Sequence, residues 1–276
     1  MRADPPRPPR TTRTSRAIRT SRAIDLNADV GEATDAVGRQ VELDLVGVVT
    51  TVHIACGGHA GDDASMRSVM QAARPAGVGV GAHPSYPDRP GFGRRPMQMT
   101  AADLSTSLRD QLGACVEAAR TCDVALTSVK AHGALYAEVA RGGPACGALL
   151  DAVGDLCAPG TAIVLPSAAP ARRQATSAGF PVLEEGFCDR AYTADGGLVP
   201  RQRPGSVYRD PDQAAAQALA LATGDTVVAD DGTRLTRRVD TLCLHGDSPG
   251  ALAMAVAVRR ALDQAGITVA APGPQP

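Results

Sequence analysis

The stretch Val48-Val49-Thr50-Thr51-Val52-His53-Ile54-Ala55-Cys56-Gly57-Gly58-His59-Ala60-Gly61-Asp62-Asp63 decides how the chain reads. Its first half is β-branched and apolar, the composition of a buried strand. The strand breaks at Cys56-Gly57-Gly58 and delivers His59, Gly61 and Asp62 to a loop. A helix follows, with Asp62 or Asp63 as its N-cap. A strand ending in Gly, His and Asp just before a helix is the layout of an active-site loop in an α/β protein.

The same layout recurs along the chain. Ile24–Glu32 alternates apolar and polar and leaves Asn27, Asp29 and Glu32 near a strand exit. Val78–Ala82 leads to His83-Pro84, and a long Gly/Pro-rich loop follows through Arg94-Arg95. Thr100–Asp103 opens a helix to about Arg120. Val124–Val129 then delivers Lys130, His132 and Gly133. Thr161–Leu165 and Val182–Glu185 are further strands, the second followed by Asp189-Arg190. Asp210–Leu221 is a helix, Thr226–Ala229 and Leu235–Val239 form a hairpin, and Thr241–Leu244 ends in His245-Gly246-Asp247 before a helix from Pro249 to Ala265. Strand and helix alternate about seven times, which implies a parallel sheet with right-handed crossovers. An open sheet concentrates its polar motifs at one switch point, whereas here they follow nearly every strand. The expected fold is therefore a distorted TIM-like (β/α) barrel with about seven parallel strands and a site at its C-terminal mouth.

The expected organisation is a disordered Arg/Pro-rich tail over 1–22, one barrel over 23–270 and a short tail over 271–276. Residues 1–22 carry seven arginines and one acid, so of the net charge of −1 the remainder holds about −7. An acidic body argues against nucleic acid as the partner. No apolar run approaches the roughly 18 residues of a membrane helix. Seven cysteines form no C-x-x-C pair, which suits reduced thiols in a cytoplasmic protein.

Lys130 is the only lysine beside 27 arginines. A chain that uses Arg for every other cation needs a compact ammonium at this position. The five histidines each stand at or near a strand exit. His53, within its strand, reads as a satisfied core or pore residue rather than a catalyst, while His59 with Asp62 reads as an imidazole–carboxylate pair. Cys56 reads as a small buried thiol rather than a nucleophile. No H-E-x-x-H spacing occurs, so no metal ligand is assigned, although Asp29, His59 and His83 could assemble a site in space. No G-x-x-x-x-G-K-[ST] loop occurs, so the chain has no ATP site of its own.

Seven blocks together resemble the LamB/YcsF family, the A subunits of bacterial ATP-dependent 5-oxoprolinases. They are D-L-N-A-D-V-G-E (25–32), H-I-A-C-G-G-H-A-G-D (53–62), G-A-H-P-S-Y-P-D (81–88), G-F-G-R-R (91–95), V-K-A-H-G-A-L-Y (129–136), D-R-A-Y with L-V-P-R (189–192, 198–201) and H-G-D-S-P-G-A (245–251). The resemblance implies a barrel of the glycoside hydrolase/deacetylase kind. It also implies a cytoplasmic enzyme that, with 5-oxoprolinase subunits B and C, opens 5-oxo-L-proline to L-glutamate at the expense of ATP. The chain departs from the family pattern at His53, Gly58, Asp63 and Ala131, where Asn, Phe, Pro and Pro are usual. For this chemistry the catalytic roles fall to Asp29, His59, Lys130, His132 and His245. Substrate contacts fall to Asn27, Glu32, Asp62, His83, Arg95, Asp189, Arg190 and Asp247. Self-association is compatible with this reading. Two rivals stand beside it: a metal-dependent deacetylase or amidohydrolase of carbohydrate metabolism, and a non-catalytic substrate-binding component.

Overall fold

The computed structural model describes residues 23–248 and 250–272. The tail expected over 1–22 lies outside them, as do residues 273–276 and Pro249, the expected start of the last helix. Seven parallel strands close into a barrel: β1 (Asp25–Val30), β2 (Thr51–Ala55), β3 (Gly79–His83), β4 (Leu126–Val129), β5 (Ala162–Pro166), β6 (Val182–Phe187) and, after a small antiparallel hairpin of β7 (Thr226–Val228) and β8 (Arg234–Thr236), β9 (Thr241–His245). β9 pairs with both β6 and β1, so the first and last barrel strands seal the cylinder. Helices α1 (Ala36–Val46), α2 (Asp63–Ala76), α3 (Ala101–Thr121), α4 (Gly133–Ala140), α5 (Pro144–Leu156), α6 (Ala171–Ser177), α7 (Pro211–Thr223) and α8 (Ala251–Gln264) accompany the strands. The expected barrel is the observed one.

Side chains alternate across each strand, and here the alternation sorts polar from apolar. Leu26, Ala28, Val30, Val52, Ile54, Val80, Val129, Ile163 and Leu242 belong to one large core shared with the helices. Asp25, Asn27, Asp29, Thr51, His53, Ser128, Lys130, Glu185 and Thr241 are all buried as well, and they bond to one another within the barrel. Ala162, Val164 and Leu183 form a separate small apolar cluster. At the foot of the lumen the Thr51 and Thr241 hydroxyls donate to the two oxygens of Asp25, at 2.7 and 2.5 Å. Burial raises the Asp25 carboxyl above its usual value despite these donors.

Two helices went unforeseen. α1 buries only Glu42, Leu45 and Val46 and leaves Val37 exposed, so it has no broad apolar stripe to betray it. α4 begins just after the histidine of the K-A-H-G block, which reads as a loop. His132 is its N-cap residue but makes no side-chain cap, because its ring is engaged elsewhere. α2 does start as expected, with Asp62 accepting from the Ser65 backbone N–H, and Gly77 closes the helix at φ 66°.

Candidate active site at the barrel mouth

Lys130 follows β4 directly and is 2 % exposed. Its ammonium lies 2.5 Å from Asp29 Oδ1 and donates to Glu185 Oε1 and to Asn27 Oδ1, each at 3.0 Å. The Asp29 contact is charge against charge, since Oδ1 has no aligned hydrogen-bond donor. Burial alone would raise the Asp29 carboxyl, but His83 and Lys130 outweigh it and hold it well below the usual range. Burial likewise opposes the Lys130 charge, and Asp29 with its anionic neighbours overcomes it, so the ammonium is held well above its usual value. Glu185 accepts a further hydrogen bond from the Tyr136 hydroxyl, at 2.7 Å on Oε2.

Beneath this array, Asn27 donates to Glu185 Oε1 at 3.1 Å and to Thr241 Oγ1 at 2.6 Å. His53 lies across the lumen, 3.3 Å from Asn27 Oδ1 and 3.0 Å from Ser128 Oγ. It is the satisfied pore histidine the sequence suggests. Gly81 makes room for it: a Cβ there would stand 2.5 Å from the imidazole.

To one side of Asp29, Glu32 gathers three imidazoles. His59 Nε2 lies 2.8 Å from Glu32 Oε1, His132 Nδ1 lies 3.4 Å from it and His83 Nε2 3.9 Å. His83 Nε2 is also 3.4 Å from Asp29 Oδ2. Burial, and then the charge of Asp29, pushes Glu32 well above the usual carboxylate range. Burial and the neighbouring His83 push His59 down to about 2 and His132 well below its usual value, so both are neutral rings. The loop Gly91-Phe92-Gly93 closes over them. Phe92 sits at φ 53°, an uncommon conformation for a bulky residue, and its carbonyl accepts from His132 Nε2 at 3.0 Å. Gly93 is obligatory, because a Cβ would stand 2.9 Å from His59 Cβ. Glu32, His59, His83 and His132 bring metal-ligating atoms close to one another, as do Asp29, Cys243 and His245.

On the other side of Asp29, His245 ends β9. Asp189 accepts from its backbone N–H at 3.1 Å and from its Nδ1 at 3.0 Å. Burial would raise Asp189, but the adjoining His245 and these hydrogen bonds bring it below the usual value. With Nδ1 carrying the proton, the bare Nε2 is left for chemistry.

A cavity of about 990 Å³ opens above these groups, and Asp29, His83, Lys130, His132, Glu185 and His245 are among its lining residues. Arg190 lines it too, with its guanidinium donating to the Ser206 and Val199 carbonyls at 3.1 and 2.6 Å. Other expected contacts fall elsewhere. Asp62 is exposed at the head of α2 and does not pair with His59, whose partner is Glu32. The Arg95 side chain is 65 % exposed and pairs with Asp88. Its neighbour Arg94 lines the cavity and pairs with Asp247. Asn27 and Asp189 are fully buried supports under Lys130 and His245 rather than groups on the cavity wall. Glu32 and His59 also stand behind the wall. Cys56 donates to the Ile54 carbonyl at 3.1 Å from a buried position.

Glu185, Tyr136 and Arg94 escape the sequence reading. Glu185 does carry a signal: it is a carboxylate two residues from Leu183 on one face of a strand, in the register of the other lumen groups. Arg94 and Arg95 are indistinguishable in a loop without periodicity.

A closed parallel barrel with a buried charge array and histidines at its mouth is the architecture of a (β/α)-barrel enzyme. The chain belongs to the LamB/YcsF family, whose model matches residues 24–275. It is 42% identical over 246 residues to the 5-oxoprolinase A subunit of Paracidovorax citrulli, covering 89% of this chain and 98% of that one. It is 39% identical over 252 residues to the 5-oxoprolinase A subunit of Symbiobacterium thermophilum, covering 91% and 96%. Among solved structures, the lactam utilization protein from Thermus thermophilus superposes with a TM-score of 0.81 at 37% identity, over 91% of this chain and 100% of the other.

Proposed function

We propose that this chain is the A component of an ATP-dependent 5-oxoprolinase, a hydrolase that opens the cyclic amide of 5-oxo-L-proline to L-glutamate together with subunits B and C. The observation that carries the reading is the cavity wall itself, where the Asp29–Lys130–Glu185 array and His245, braced from behind by Asp189, face one space. The names and extent of the relatives support it. Free thiols at all seven cysteines suit a reducing, cytoplasmic setting.

A lactam carbonyl is a poor electrophile, and transfer of a phosphoryl group from ATP to its oxygen makes the ring carbon open to water. This chain has no phosphate loop, so the partners handle the nucleotide. Lys130 supplies fixed positive charge where negative charge develops on the substrate oxygens. Asp29, held low by His83 and Lys130, stays ionised and anchors the ammonium instead of taking protons. His245 is the better base, with Asp189 fixing its tautomer. Its Nε2 takes a proton from the attacking water and returns it to the ring nitrogen as the C–N bond opens, and a second water then cleaves the resulting acyl phosphate to glutamate and inorganic phosphate.

The test is ATP-dependent glutamate release from 5-oxoproline by the chain with and without its partner subunits. Turnover should need all components, and the chain alone should show no ATP hydrolysis that 5-oxoproline stimulates. His245→Ala should assemble normally and lose turnover. An assembled, fully active His245→Ala complex would leave the chain only a scaffold role.

A further inference from the structure

His83 and His132 meet with the wrong atoms for a hydrogen bond between neutral rings. His83 Nδ1 lies 2.7 Å from the Lys130 carbonyl oxygen, and His132 Nε2 lies 3.0 Å from the Phe92 carbonyl oxygen. A carbonyl only accepts, so these nitrogens carry the ring protons. Unless one ring takes a second proton, the other two, His83 Nε2 and His132 Nδ1, are bare lone pairs, and they face each other across 3.0 Å. Glu32 Oε1 brings a third donor of electrons to the same spot, 3.4 Å from His132 Nδ1 and 3.9 Å from His83 Nε2. All three side chains are buried, so bulk water does not separate them. Such a cluster calls for a positive charge at its centre.

We propose that Glu32, His83 and His132 hold a divalent transition-metal ion of the zinc class, with one coordination position open to the cavity. A tetrahedral ion with bonds of roughly 2.0–2.1 Å sets its donors about 3.3 Å apart. The three separations here, 3.0, 3.4 and 3.9 Å, bracket that spacing. The two rings stand at 90° to one another, so both lone pairs can converge on one point. Their outer nitrogens donate to backbone carbonyls, the arrangement that fixes the tautomer and orientation of metal-bound histidines.

His59 is a support and not a ligand. Its ring stacks on His132 at 3.7 Å with an interplanar angle of 5°, and no ion can lie in the planes of two stacked rings at once. It serves instead by donating Nε2–H to Glu32 Oε1 at 2.8 Å, which pins the carboxylate. Three protein ligands, two imidazoles and one carboxylate, are the complement of a catalytic site rather than a closed structural one. His83 and His132 line the cavity while Glu32 lies behind them, so the open position faces the cavity. The second cluster, Asp29 with Cys243 and His245, already contains a cation: the Lys130 ammonium is 2.5 Å from Asp29 and 3.4 Å from Cys243.

The proposal does not depend on the lactam reading. Full-length protein is stripped with a chelator, dialysed, and titrated with Co²⁺ and then Zn²⁺ without substrate or partners. One Co²⁺ per chain should bind, with the visible absorption of a low-coordinate nitrogen–oxygen site, and one Zn²⁺ should displace it. Circular dichroism melting checks that each variant folds. His132→Ala and Glu32→Gln should weaken binding on the order of 10²-fold or more, and His59→Ala about 10–100-fold, as loss of an outer partner does. Arg120→Ala, on the exposed end of α3, should bind as wild type does. Folded wild-type protein that takes up neither ion would overturn the proposal, leaving a proton shared between the two rings to balance the lone pairs. Folded His132→Ala that binds Co²⁺ as tightly as wild type would overturn it as well. Metal uptake without turnover of 5-oxoproline sinks only the lactam reading, and turnover without uptake sinks only this one.

Discussion

Lys130 and Asp29 meet across the lumen, 2.5 Å apart, from strands that are not neighbours in the barrel wall. β1 lies between β9 and β2, and β4 lies between β3 and β5, so the ion pair is a strut spanning the cylinder. Removing one end leaves buried charge on the other, which typically costs about 3–5 kcal/mol. Lys130→Ala should therefore lower stability by that order as well as lowering kcat by about 10²–10³. Urea denaturation beside turnover in the assembled complex separates the two effects. Lys130→Arg should also fail, because a planar fork does not fit a site built around a point charge. Near wild-type turnover in Lys130→Arg would refute the role.

The tyrosine at the edge of this array should be felt separately. Tyr136→Phe removes the donor to Glu185 Oε2. A hydrogen bond to a charged group is worth about 1.5–3 kcal/mol. A loss of stability in that range is expected, measured as a lower urea midpoint with an unchanged slope.

Adjacent arginines should behave differently. Arg94 lines the cavity, lies over the Phe92 ring at 4.6 Å and pairs with Asp247, whereas Arg95 points to solvent beside Asp88. Arg94→Ala should cut kcat/KM roughly tenfold or more, the scale of a lost charge-assisted contact, and Arg95→Ala should leave it nearly unchanged. Equal losses would mean that the mouth closes in a different arrangement when substrate binds.

Asp189 gives a pH signature. Its carboxyl is lower in the folded chain than in the unfolded one, so its contribution to stability is full above the unfolded value, near pH ~4. It is lost as pH falls through the folded value. Asp189→Asn should flatten the acid limb of the stability curve. It should also cut kcat by about 10²–10⁴ through loss of the His245 tautomer. Chemical denaturation at several acid pH values, with kcat at neutral pH, checks both.

The barrel was legible because its strands are short, β-branched or alternating, and each ends in a glycine or a polar exit. Asp25, Asn27 and Asp29 alternate with Leu26, Ala28 and Val30, and that pattern carried both the strand and its lumen face. The site was legible as a set of strand exits but not as a set of partners. The sequence pairs His59 with Asp62 because they are close along the chain. The fold pairs His59 with Glu32, 27 residues away, because β1 and β2 lie side by side. Asn27 and Asp189 show the same limit: polarity at a strand exit marks the site, but depth along the strand decides which groups reach the cavity and which brace those that do.

A chain with a single lysine has only one ε-amine for acylating or alkylating reagents, and the folded barrel keeps that amine 2 % exposed and ion-paired. Amine-directed labelling of native protein is thereby confined to the terminal amine. Slow modification at Lys130 becomes a clock for barrel opening, readable by mass spectrometry with no engineered probe. Lysine acylation, a common surface modification elsewhere, has no foothold on the outside of this barrel.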